Sequence, residues 1–202
     1  MAAGRLFVVG GNRVTLIRIF LATTLAFYGL AAQAQSLPKP KEFYFDPDTS
    51  TARKIVVVQG EGDAVAAELV KLRERGRKPL EATAQLAHLA MSDNRLELGK
   101  TLYAEALQTT QTKASIGRTI RWNYAWDLYR QGEVDSALTL WAELASGFGQ
   151  PGWVPPTLAL GLWSADRKTE AVQWYAAAIR TEPNLWGDSA NYATLLPDWR
   201  PA

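Results

Sequence analysis

The chain has no cysteine, one histidine and two methionines in 202 residues. Without thiols it can form no disulfide and no thiolate metal site, and it offers no cysteine nucleophile or lipid attachment point. The one histidine, His88, sits between Ala87 and Leu89 and is not expected to ligate a metal. Any serine nucleophile would need it as base, and no Gly-x-Ser-x-Gly elbow occurs. The paired carboxylates Asp46/Asp48 and Glu61/Asp63 lie in turn-like segments, where capping accounts for them. No catalytic constellation results, so the expectation is a protein that is not an enzyme and carries no cofactor. Excess charge is missing too. The formal charge is +2, but Arg5, Arg13 and Arg18 precede an expected cleavage site; without these three, 19 basic side chains face 20 acidic ones, a net of −1. Such a body has no electrostatic hold on nucleic acid or anionic lipid.

What is present begins with an address. After the basic residues comes an apolar run, Ile19 to Ala32, and then Ala32-Gln33-Ala34, an A-x-A site that would leave Gln35 as the new N-terminus. The run of 14 residues is short against the roughly 20 needed to cross a bilayer. Residues 1–34 are therefore expected to be a signal peptide and the body periplasmic. The alternative is inner-membrane anchoring by the same segment left uncleaved.

Residues 35–51 follow as an extended linker, since Pro38 and Pro40 block helix. Phe43, Tyr44 and Phe45 are expected to tuck onto the first folded layer. Residues 52–79 are expected as a degenerate N-terminal helical unit. Within it Ile55-Val56-Val57-Val58 is the one strand-like run, read as a buried first helix or short strand. Gly60-Glu61-Gly62 after it invites a dinucleotide-binding assignment. However, Val65 stands where a third small residue belongs, and Glu61 and Asp63 would repel a pyrophosphate. The apolar stripe Val65, Leu69 and Leu72 predicts a helix over Asp63–Arg75, with Gly76 ending it. The basic residues Lys71, Arg73, Arg75, Arg77 and Lys78 complement its C-terminal dipole as a solvated face.

From residue 118 onward one pattern is written twice, 34 residues apart: Ala125 recurs as Ala159, Leu128 as Leu162, Ala137 as Ala171 and Trp141 as Tyr175. A weaker copy precedes it at an offset of 38, with Ala87, Gly99, Tyr103 and Ala106 in the same order. Small residues let two helices of a hairpin approach; large ones a turn away fill the gap to the next hairpin. The fold class expected is therefore all-α, a right-handed α-solenoid of stacked antiparallel helix hairpins. Its units are 80–111, 118–151 and 152–185, and residues 186–202 form a short capping helix and tail. So short a tail leaves the last hairpin thinly covered. Either it folds back across that hairpin or the chain continues past Ala202, the second being favoured.

These units resemble tetratricopeptide repeats. The last is most similar, with Leu158, Ala159, Leu162, Ala171, Tyr175, Ala178 and Pro183 at the family's spacing of large, small, large, small, aromatic, small and proline. The middle unit supplies Tyr124, Ala125, Leu128, Gly132, Ala137, Trp141 and Leu144, and departs at Gly149, where proline is expected. The resemblance implies that each first helix lines a concave groove. The groove positions would be Trp122, Trp126, Tyr129 and Arg130 in the middle unit, and Trp153, Leu160 and Trp163 in the last. In the first unit they would be Glu81, Ala84, His88 and Met91. The family's carboxylate clamp needs lysine and asparagine at inner positions, which Ala84, His88, Trp126 and Leu160 do not supply; Asn123 stands alone.

All eight tryptophans fall between residues 122 and 199. Trp122, Trp126 and Tyr129 share one helix face, away from Ala125 and Leu128. Such a stripe suits a peptide-binding groove, or else ordinary packing beneath the C-terminal segment 185–199. The function expected is a non-enzymatic adaptor binding a protein or peptide partner of the bacterial envelope. A structural accessory subunit, and a wall-sugar-binding or hydrolytic protein, are the alternatives.

Overall fold

The computed structural model describes residues 37–110, 114–147 and 149–197. The expected signal peptide, residues 1–34, lies outside them, as does Trp199. Among the described residues the fold is all-α, without a strand. Seven helices carry it: α1 (Asp63–Arg75), α2 (Pro79–Ser92), α3 (Leu96–Gln108), α4 (Ala114–Arg130), α5 (Val134–Ala145), α6 (Val154–Ser164) and α7 (Lys168–Thr181). Two single turns follow, α8 (Pro183–Trp186) and α9 (Tyr192–Leu195), with a 3-10 turn Ser189–Asn191 between them. The chief pairings are α2 with α3, α4 with α5, and α6 with α7, and α1 packs on α2. No described helix is long and apolar enough to cross a membrane.

The three hairpins turn by one mechanism. Asn94, Gly132 and Asp166 all adopt the left-handed conformation, at φ 60°, 84° and 58°. At each turn the next N–H bonds back over the helix end: Arg95 to the Ala90 carbonyl at 2.8 Å, Glu133 to Leu128 at 2.9 Å and Arg167 to Leu162 at 2.9 Å. The residue before it bonds to Met91, Tyr129 or Trp163 in the same way. This double closure satisfies the last carbonyls of a helix and reverses the chain sharply. Asn and Asp tolerate the left-handed region better than other side chains, so the equivalent residues keep one geometry without sharing one identity.

Inside each hairpin a small residue sets the helix separation. A methyl on Gly99 would lie 2.2 Å from Met91 Cγ and 3.0 Å from the Ala87 carbonyl oxygen. Ala137 and Ala171 hold the same place in the next two units and are buried. Between hairpins, Gly161 lets α6 approach α5, where a Cβ would meet Leu138 at 2.7 Å. Tyr103 and Trp141, one turn beyond the small residues, are fully buried. Among the described residues no further hairpin lies above their counterpart Tyr175. The tail covers it instead: its hydroxyl donates to the Trp186 carbonyl and is hydrogen-bonded to the Tyr192 hydroxyl. The tail thus folds back over the last hairpin.

Ahead of α1 the chain is extended but not free. Tyr44, Thr51 and Ile55 are buried in it. Tyr44 packs against Trp174 of α7, in the last hairpin and not on the first folded layer, with ring centres 6.1 Å apart. Phe43 and Phe45 point outward, as alternation along an extended chain requires. Ile55–Val58 forms neither helix nor strand. Of residues 52–79, only Asp63–Arg75 is helical before Pro79 opens α2.

Two substitutions separate crowding from backbone strain. Gly99→Ala must push Met91 and the α2 backbone aside and should cost about 1–3 kcal/mol. Gly132→Ala meets no atom within 4 Å and should cost only the left-handed strain, about 1 kcal/mol. Urea unfolding of both variants checks the order; equal costs would contradict the close approach at Gly99.

Candidate functional site

The α4 aromatics do not stand apart from the core. Trp122 and Trp126 meet edge to face at 5.8 Å, and Trp126 meets the buried Trp141 at 5.0 Å. Trp122 also packs on Trp153, from the start of α6, at 4.7 Å. Edge-to-face contacts of this kind add about 0.5–1.5 kcal/mol each beyond their burial. Trp122, Trp126 and Trp153 therefore come together as one half-buried cluster. Tyr129 is buried, and its hydroxyl shares a 3.0 Å hydrogen bond with Ser164 of α6. Leu160 is buried as well. Arg130 lies over the Trp126 ring at 6.0 Å and donates to Asp127 at 2.8 Å. Trp163 stands further along α6, 43% exposed, with the Lys168 ammonium 5.5 Å from its ring centre.

Two hollows adjoin this cluster. One, of about 390 Å³, is lined by Trp122, Trp126, Trp153, Pro156, Trp186 and Leu196, with Pro47 and Glu182 at its edge. The other, of about 240 Å³, is almost wholly apolar and is lined by Leu160, Trp163, Val172, Tyr175 and Tyr192. Pro156, Trp186 and Leu196 line both. Burial, then the Tyr192 hydroxyl, pushes the Tyr175 phenol up to about 12, so it stays a donor. The chemistry of the walls suits apolar and aromatic side chains presented by a chain passing across α4 and α6.

Of the inner residues expected in the first unit, Ala84 and Met91 are buried, and His88 binds a carboxylate. Its Nδ1 lies 2.8 Å from Asp127, which also accepts from the Tyr103 hydroxyl at 2.6 Å and from Arg130. Asp127 is 3% exposed, so three donors offset its desolvation, and the group ties α2, α3 and α4 together. Burial, and then the Asp127 charge, pushes the Tyr103 phenol well above its ordinary range, keeping it a donor.

Sequence reasoning missed the track beside the cluster. The extended leader runs from the segment just before α6, past α4, to α2. Asp46 bonds to the α5–α6 connection, its N–H to the Gln150 carbonyl at 3.0 Å and its carbonyl to the Gly152 N–H at 2.8 Å. The Asp48 carboxylate accepts from the Trp153 indole at 3.1 Å and from Arg118 at 3.2 Å. Thr119 donates to the Ser50 carbonyl at 2.7 Å. Asn123 then takes the Ile55 N–H at 3.2 Å and donates to the Arg53 carbonyl at 2.8 Å. Gln85 takes the Val57 and Val58 N–H groups at 2.6 and 3.0 Å and donates to the Val58 carbonyl at 2.6 Å. Gln85 and Asn123 are 38 residues apart, the offset between Ala87 and Ala125. Two amides at one position of successive units were the available signal.

Comparison with protein-family models, curated proteins and solved structures finds no match to the chain.

Burial opposes the Asp48 charge, but hydrogen bonds from Trp153, Thr51 and Arg118, with the Arg118 charge, outweigh it and hold its carboxyl below the ordinary range. A carboxyl lowered by folding stabilises the fold above its unfolded value and stops doing so as pH falls through the folded one. Asp48→Asn should thus cost about 1–2 kcal/mol at pH 7. The difference from wild type should shrink once pH falls below 3.8, the unperturbed value. Urea midpoints measured against pH test this; a gap that persists unchanged into that range would contradict it.

Proposed function

We propose that the chain is a non-enzymatic interaction module of the tetratricopeptide kind, exported to the bacterial envelope. Its partner is a segment of another envelope protein, received in the aromatic hollow between α4, α6 and the tail. The observation that carries the proposal is the joining of Trp122, Trp126 and Trp153 at a hollow whose walls are aromatic and whose neighbouring track already holds an extended chain. Three hairpins with one turn geometry and one seam support the family assignment. The order of basic residues, short apolar run and Ala32-Gln33-Ala34 supports export.

The partner reading is tested by selecting displayed peptides on the full chain. Selected peptides should bind in the micromolar range and lose tenfold or more on Trp122→Ala or Trp163→Ala, with helical circular dichroism unchanged. Failure to enrich any peptide, or binding by both variants as tight as that of the wild type, would contradict it. The mature protein should begin at Gln35 by N-terminal sequencing. A chain that keeps residues 1–34 would instead be anchored through them.

A further inference from the structure

We propose that residues 44–58 are an intramolecular placeholder, and that the track they fill binds an extended strand of a second protein in their stead. This deepens the interaction reading and adds the chemistry of the partner.

Recognition along the track goes mainly to backbone. Asn123 and Gln85 each present an acceptor and a donor to the leader, and between them they hold three N–H groups and two carbonyls. Thr119 adds a third carbonyl contact. Beyond Tyr44, which is buried against Trp174, side chains matter at three places. A carboxylate at position 48 meets Arg118 and the Trp153 indole. A small hydroxyl residue three positions on is fully buried, and Thr51 Oγ1 accepts from Arg118 at 3.1 Å. An aliphatic residue seven positions on, Ile55, is buried too. Proline is excluded where the track accepts an N–H, at the counterparts of Asp46, Ile55, Val57 and Val58. The partner is therefore an extended segment with an aromatic residue four before an acid, a small residue three after that acid and an aliphatic seven after it, running from the last hairpin towards the first.

Two features point to a foreign strand over a permanent strap. The leader joins α1 through Gly60 and Gly62, both at positive φ, 100° and 82°, and a side chain on Gly62 would meet nothing within 4 Å. The junction thus has open space at Gly62, while a side chain on Gly60 would touch Val65 Cγ2 at 3.4 Å. The leader also turns away at Asp48, which is held at φ 37°, next to the aromatic hollow that Pro47 and Trp153 border. A partner strand that ran on into that hollow would gain contacts with Trp122, Trp126 and Trp186 that border it. A tether of this length keeps the leader at an effective concentration in the millimolar range, so the track is closed to weak competitors and open to such a strand.

The test uses the full chain and a fluorescent peptide with the sequence of residues 44–58. The double variant Asp48→Asn, Ile55→Ser loosens the leader and leaves the track intact. It should bind the peptide at least tenfold more tightly than wild type does, and adding Gln85→Leu and Asn123→Leu should remove that binding. No binding by a loosened chain that still melts cooperatively would overturn the proposal, as would binding indifferent to Gln85 and Asn123. Should loosening unfold the protein, a protease site inserted between Gln59 and Gly60 serves instead. After cutting, the leader should exchange for labelled peptide on dilution, and a cut leader that never exchanges would overturn the proposal. A wild-type dimer with exchanged leaders would overturn assignment of the track to a second protein. Failure of this peptide leaves the displayed-peptide result at the hollow standing or falling by itself.

Discussion

An extended chain needs acceptors for its N–H groups, and here two side-chain amides on separate helices supply them. Asn123 on α4 and Gln85 on α2 can lie along one line only because their hairpins are in register. That register comes from the same left-handed turn at Asn94 and Gly132 and from the same small residue at Gly99 and Ala137. The repeat therefore does more than bury apolar faces. It spaces polar groups on the first helices so that a strand can be held without a sheet.

The two ends of the stack are closed by different means. α1 packs on α2 at one end. At the other the tail lays Trp186 and Tyr192 against Tyr175, and Leu196 beside Trp186. Folding the tail back covers the position that a further hairpin would have covered, and it leaves the hollow between tail, α6 and α4. Closure of the last repeat and formation of the candidate site are thus one packing event. The leader adds Tyr44 on α7, so both terminal segments of the described body meet on the last hairpin.

Much of the helical scaffold was legible in the sequence. The stripe of Val65, Leu69 and Leu72 placed α1, and the recurrence of Ala125, Leu128, Ala137 and Trp141 placed the hairpins, because those positions obey local periods and a seam that tolerates only small residues. The candidate site was legible in part. Trp122 and Trp126 share a face by spacing alone, and the family resemblance set Trp153 beside them; what the structure supplies is the ring contact of Trp122 with Trp153, which lies 27 residues beyond Trp126. The extended form of the leader was legible from Pro38 and Pro40, but its docking was not. Its bonds join residues nearly 70 positions apart, between backbone and neutral amides that carry no periodic or charge signature. Ile55–Val58 has the composition of a strand, and its β-branched residues do favour extended backbone. What composition could not tell is that helices, not a neighbouring strand, would satisfy it. Phe43 and Phe45 were misplaced for a similar reason, since the facing of an extended segment depends on which residue is anchored, and that residue is Tyr44.

The central claim is that Gln85 and Asn123 hold the leader's backbone. Amide hydrogen exchange at Ile55, Val57 and Val58 tests it most directly, measured in wild type and in a Gln85→Leu, Asn123→Leu double variant. The account predicts slow exchange at all three in wild type and exchange at the rate of an unstructured chain in the variant, while amides of α5 stay protected in both. Fast exchange at these three residues in wild type, or protection unchanged in the variant, would contradict it.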